Sequence, residues 1–161
     1  MSEAKKDDAP KEPAKPQPVA ESRVVVVRSN KKMRIGQEVL IGPHRLASDE
    51  PEPLGDDSGP TPYNLLAAAL GSCTAMTITL YAQRKEWPLE SVGVVLRHQK
   101  IDAEDCVDCR GREGKVDHIG RAIELGGPLT AEQRSRLLEI AERCPVRRTL
   151  GPAIHIESKL V

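Results

Sequence analysis

Between Thr61-Pro62 and Trp87-Pro88 runs a segment, PYNLLAAALGSCTAMTITLYA, that is apolar around most of a helical circumference. It opens as helices do, with a hydroxyl at the N-cap and a proline at the first helical position. Trp87-Pro88 stops it, after about Ala82. A helix of this kind has no face to give to water, so it is expected to be buried at the centre of the fold. Along one side Ala68, Gly71, Ala75 and Thr79 recur at helical spacing. Small residues in that pattern admit another backbone at close range. A partner helix, from this chain or a second copy, is the expected occupant.

The rest of the chain supplies strands and one more helix. RVVVVRS, 23–29, is a β-branched run typical of a strand, and Asn30-Lys31-Lys32 can turn the chain into a second strand over 33–41. Gly42-Pro43 breaks that strand, and 44–48 reads as a short third one. Residues 49–60 form a long loop dense in Pro, Gly and acids, in which Asp49, Glu50 and Glu52 read as a solvated surface rather than an acid–base pair. After the helix, 91–101 alternates with Val92, Val94 and Leu96 on one face, and a less regular strand over 115–125 is predicted to pair with it as a hairpin. Thr130-x-x-Gln133 is a capping-box signature for an amphipathic helix carrying Leu137, Leu138, Ile140 and Ala141. Cys144-Pro145 interrupts that helix, which resumes over 146–150, and alternation over 153–160 predicts a closing strand. The order is that of an α+β protein.

A chain of 161 residues fits one domain. Residues 1–22, rich in Lys, Glu, Asp, Ala and Pro, offer almost nothing to bury and are expected to be a disordered tail, leaving 23–161 as the folded unit. With no Phe, one Trp and two Tyr, the core must rest on aliphatic side chains, and oligomerisation would help it exclude water. Formal net charge is zero. A balanced, aromatic-poor chain lacks the basic face and stacking platforms of nucleic-acid binders. No signal-peptide h-region follows the early lysines, and no membrane partner is expected. Four cysteines without an export signal point to a reducing, cytoplasmic compartment.

Those cysteines carry the candidate chemistry. Cys73 lies on the apolar helix, where it is either a buried structural thiol or a nucleophile. Cys144 sits at a helix break beside Arg143, Arg147 and Arg148, whose charge favours thiolate; the same cluster is equally welcome at a helix end for its own sake. Cys106 and Cys109 form a CxxC in an acidic stretch, EDCVDC. The spacing His98-x7-Cys106-x2-Cys109-x8-His118 leaves three readings open: incidental thiols, an accessory redox dithiol, or a Cys2His2 zinc site. Acidic neighbours raise a thiol pKa, which makes Cys73 the better nucleophile.

Taken together, GPTPYNLLAAALGSCTAMT and CPVRRTL resemble the paired motifs of the OsmC/Ohr family, and the elements around them fit from residue 23 to 161. The CxxC in the hairpin and the GPxPY opening resemble a subgroup of OsmC-like proteins. The resemblance implies an intertwined homodimer, with antiparallel sheet wrapped around paired central helices. It also implies a thiol peroxidase that reduces organic hydroperoxides in oxidative stress and is recycled by an external dithiol, with no cofactor required. Cys73 matches the peroxidatic cysteine and Cys144 the resolving one. Efficient members carry a Glu directly after the helix-opening proline, where it orients an activating Arg; this chain has Tyr63. Arg28, Arg34 and Arg45 are the candidates for that Arg. The alternative on the same fold is a binding, zinc or dithiol redox protein using Cys106 and Cys109.

Overall fold

The computed structural model describes residues 24–29, 32, 34–106, 113–151 and 156–160. Three short strands, β1 (Val25–Ser29), β2 (Gln37–Ile41) and β3 (His44–Ser48), form an antiparallel meander. Helix α1 (Pro62–Arg84) follows, then a long hairpin of β4 (Ser91–Asp102) and β5 (Lys115–Gly126). Helix α2 (Ala131–Ala141) and the short α3 (Pro145–Leu150) complete the order. The tail over 1–22, the Asn30-Lys31 turn and Cys109 lie outside the described residues.

Local chemistry explains the ends of the helices. Thr61 Oγ1 accepts the N–H of Asn64 with Pro62 at the first position, and α1 runs to Arg84, one turn beyond Tyr81. Thr130 and Gln133 cap α2 reciprocally, at 3.2 Å and 2.9 Å. β2 begins at Gln37 rather than Met33. The closing strand does not appear over 156–160, which has no regular structure; residues 152–155 lie outside the described residues.

The two sheets are separate among the described residues, and the hairpin is the one that packs on α1. Its register pairs Leu96 with Arg121 and Val94 with Ile123, so Val92, Val94, Leu96, Ile123 and Leu125 share one face. Ile78, Ala82, Leu129, Leu137 and Ala141 form the core, with Val92, Ile123 and Leu125 against it. Ile78 and Leu137 are fully buried, each contributing about 1.5–3 kcal/mol through removal from water. Gly71 serves this same packing: a Cβ there would stand 2.7 Å from Leu96 Cδ1. The small-residue stripe is thus filled at Gly71 by a strand of its own chain rather than by a helix.

Within the single chain α1 is covered on one side only. Its buried residues are Leu70, Gly71, Thr74, Ile78 and Ala82, a single stripe, while Met76 is 64% and Leu80 60% exposed. Met76, Thr79 and Leu80 line an open groove with Leu89 and Val92. A second apolar trough lies under the meander, between Val25, Val27, Val39, Ile41 and Leu65. The described residues of one chain leave these faces uncovered. By length and composition α1 is also the one described helix apolar enough to cross a membrane.

Candidate functional site

Cys73 and Cys144 meet where α1 passes the junction of α2 and α3. Pro145, with no N–H to continue the helical ladder, ends α2 and starts α3, and Cys144 is left extended between them as the N-cap. Both are free thiols; Cys144 is fully buried and Cys73 partly exposed. The Cys73 and Cys144 thiols lie close enough for each to shift the other's pKa.

Burial is the largest influence on both and favours the neutral form. At Cys73 it prevails, reinforced by the negative charge Cys144 can carry, and the pKa is raised. At Cys144 burial is outweighed by the Arg147 N–H, the Cys73 thiol, the Thr74 hydroxyl and the Val146 N–H, and the pKa is lowered. The two thiols are thus pushed in opposite directions, Cys73 towards its neutral form and Cys144 towards its thiolate.

Arg121 completes this corner. It reaches from β5, its side chain 11% exposed, to donate to Thr74 Oγ1 at 3.0 Å, to the Ala141 carbonyl at 3.3 Å and to the Glu142 carboxylate. Glu142 also holds Arg147 at 2.6 Å. Sequence reasoning missed Arg121. The available signal was its place on the helix-facing side of β5, at i±2 from Ile119 and Ile123, where a charge must find buried partners.

The arginines singled out from sequence stand elsewhere in the chain. Arg28 is exposed on β1, and Arg45 on β3 pairs with Glu38 at 3.1 Å. The Arg34 backbone N–H donates to Asp56 at 3.3 Å. None of the hydrogen bonds or ion pairs of these three reaches the thiols. Tyr63 stacks on His98, whose Nε2 is 2.9 Å from Asp117 Oδ1.

The two hairpin histidines of the candidate Cys2His2 set are not brought together. His98 pairs with Ile119 and His118 with Gln99, so alternation puts the two imidazoles on opposite faces of the hairpin. Cys106 is in a disulfide, and Cys109 lies outside the described residues. Among the described residues, no three His, Cys, Asp or Glu are grouped to hold a metal ion. The acidic loop is also not simply solvated. Asp49 is buried, and its carboxylate accepts from the Ser58 hydroxyl at 2.8 Å and from the N–H groups of Glu50, Asp56 and Ser58.

The family model for OsmC-like proteins matches residues 55–159, a span that holds α1, the hairpin and both thiols. The chain belongs to the OsmC family. No curated protein matches this OsmC-like chain. Among solved structures, an OsmC-like protein from Mycoplasma pneumoniae is 18% identical with a TM-score of 0.63, covering 79% of this chain and 85% of that one. The organic hydroperoxide resistance protein OsmC of Legionella pneumophila is 18% identical, TM-score 0.57, covering 80% and 88%. The organic hydroperoxide resistance protein OhrB of Bacillus subtilis is 17% identical, TM-score 0.54, covering 80% and 90%. At these identities the likeness is one of fold, and the OsmC-like fold is α+β, with antiparallel sheets about a central helix.

Proposed function

We propose that this OsmC-like chain is a thiol peroxidase for organic hydroperoxides in oxidative stress, with Cys73 peroxidatic and Cys144 resolving. One observation carries the reading: two free thiols, remote in sequence, converge at a helix break, one partly exposed residue beside one fully buried. Access supports these roles, since Cys73 is the partly exposed thiol and Cys144 the buried one. The Cys73 thiolate attacks the peroxide oxygen, the O–O bond breaks, and the alcohol leaves with a proton as Cys73 becomes a sulfenic acid. The Cys144 thiolate then attacks the Cys73 sulfur. The S–O bond breaks, the oxygen takes up protons and leaves as water, and a disulfide closes. An external dithiol reduces it by exchange, and no metal or organic cofactor takes part.

The same reading includes a homodimer. The exposed Met76 and Leu80 and the trough beneath the meander are apolar faces that a second copy would cover. Burial holds Cys73 towards its neutral form in the single chain, so activation calls for a cation from across that interface; Arg28, Arg34 and Arg45, all on or beside the meander, are the candidates.

Mass spectrometry with peptide mapping, before and after an equimolar dose of cumene hydroperoxide, tests the chemistry. A Cys73–Cys144 disulfide within seconds supports it; unchanged thiols at both positions reject it. The Cys106 disulfide favours a second reading, a dithiol oxidoreductase acting through the hairpin. Insulin reduction that survives Cys73→Ser would select it, and zinc bound to the reduced chain and lost in Cys106→Ser would select the metal version.

A further inference from the structure

The peroxidase reading leaves Arg121 without a task. A guanidinium taken out of water needs acceptors all round, and this one has Thr74 Oγ1, the Ala141 carbonyl and Glu142. Thr74 is the informative partner. It follows Cys73 in the chain, has no solvent contact, and its hydroxyl accepts from Arg121 and donates to the Leu70 carbonyl at 2.8 Å, while also favouring the charged form of the neighbouring Cys144 thiol. A hydroxyl has one proton and two lone pairs. Arg121 is donor only, so it must occupy a lone pair. The proton is left with two acceptors, the Leu70 carbonyl and Cys144.

We propose that Arg121 is a positioning residue for the resolving thiol: it fixes the Thr74 hydroxyl so that its proton turns from Leu70 to Cys144 as that sulfur ionises. In turnover, which rests on the peroxidase reading, this steadies the thiolate that attacks oxidised Cys73. Donation by Arg121 also polarises the O–H and makes it a stronger donor. The other titratable and charged groups at this corner are Cys73 from α1, Glu142 from the end of α2 and Arg147 from α3, the last two paired with each other. Glu142 holds Arg121 from the side away from Thr74, so the guanidinium is clamped between its two partners.

The test needs no peroxide. In a full-length Cys73→Ser chain, the side-chain carbon shift of labelled Cys144 is followed across pH by NMR, which reads a buried thiol without a reagent having to reach it. Thr74→Val, which keeps the shape and loses the hydroxyl, is expected to raise the midpoint by about one pH unit, a tenfold loss of thiolate below it. Thr74→Ser is expected to restore it. Arg121→Met raises the midpoint alone but adds little in the Thr74→Val chain, because the two act as a unit. An unmoved midpoint in Thr74→Val, or an Arg121→Met shift undiminished in that background, overturns the inference. Disulfide formation with cumene hydroperoxide, in chains retaining Cys73, separates the two readings. If the unmodified chain forms no disulfide while the midpoints shift as stated, the peroxidase reading falls and the coupling stands. A disulfide that closes as fast in Thr74→Val as in the unmodified chain overturns the role in resolution.

Discussion

The rings of Tyr63 and His98 lie face to face, with centroids 4.3 Å apart and planes 8° from parallel. The stack fastens the first turn of α1 to β4, and Asp117 holds the far side of the imidazole while also accepting from Lys100. Position 63, where the family resemblance leads one to expect a carboxylate, is thus spent on an aromatic clasp.

Tyr63→Phe should therefore leave stability within about 0.5 kcal/mol, since the hydroxyl is not part of the stack. Tyr63→Ala should cost about 0.5–1.5 kcal/mol beyond its lost buried area. Urea denaturation of the two variants decides; equal losses would mean the stack contributes nothing.

The thiols should perturb each other in opposite senses. Cys144→Ser removes two influences that raise the Cys73 pKa, the Cys144 hydrogen bond and its charge, so Cys73 should become more acidic. Cys73→Ser exchanges the thiol that donates to Cys144 for a shorter hydroxyl, so Cys144 should become less acidic. Side-chain carbon shifts of labelled cysteine against pH, read by NMR, measure both. Under peroxide, Cys73→Ser should consume none and Cys144→Ser should stop at the sulfenic acid or inactivate quickly.

Asp49 should make the loop before α1 acid-sensitive. The Ser58 hydroxyl, opposed by burial and joined by the N–H groups of Glu50, Asp56 and Ser58, holds its carboxyl below the ordinary range. A depressed folded pKa contributes stability in full above the unfolded value of about 3.9, and that stability is lost as pH falls through the folded value. Asp49→Asn should accordingly be less stable than the parent chain at neutral pH, with the gap closing at acid pH, as pH falls below the ordinary carboxylate range and through the folded value. Guanidinium titrations at neutral and acid pH check it.

A charge on the open face of α1 should act on association rather than on folding chemistry. Met76→Glu or Leu80→Glu, at exposed positions in the groove, should shift the sedimentation profile from dimer to monomer. A parent chain that sediments as a monomer at high concentration would remove the dimer from the proposal.

The sequence made much of the fold legible because caps and stops are local: Thr61-Pro62, Trp87-Pro88 and the Thr130–Gln133 box mark the long helices by short-range chemistry. The strand alternation of 91–101 likewise named the packed face. Apolar periodicity, however, says that a surface must be covered and not by which molecule, so the occupant of the α1 face was left open between this chain and a second copy. The convergence of Cys73 and Cys144 rested on family resemblance, since nothing local relates the two segments. Asp49 looked solvated because the donors that bury it are mostly backbone N–H groups, which composition does not reveal. The proposed zinc set shows the same limit in reverse: His98 and His118 are well spaced along the chain but fall on opposite sides of the pleat.

Because the break at Cys144-Pro145 is held against α1, a bond between Cys73 and Cys144 would enclose β4, β5 and α2 in a single covalent ring. A ring of that size removes much of the unfolded chain's freedom, on the order of 4 kcal/mol in the chain-entropy account. Oxidised and reduced forms would then differ in heat resistance, and a melting curve would report the redox history of the sample. The protein would be hardest to unfold in the interval between meeting its oxidant and meeting its reductant.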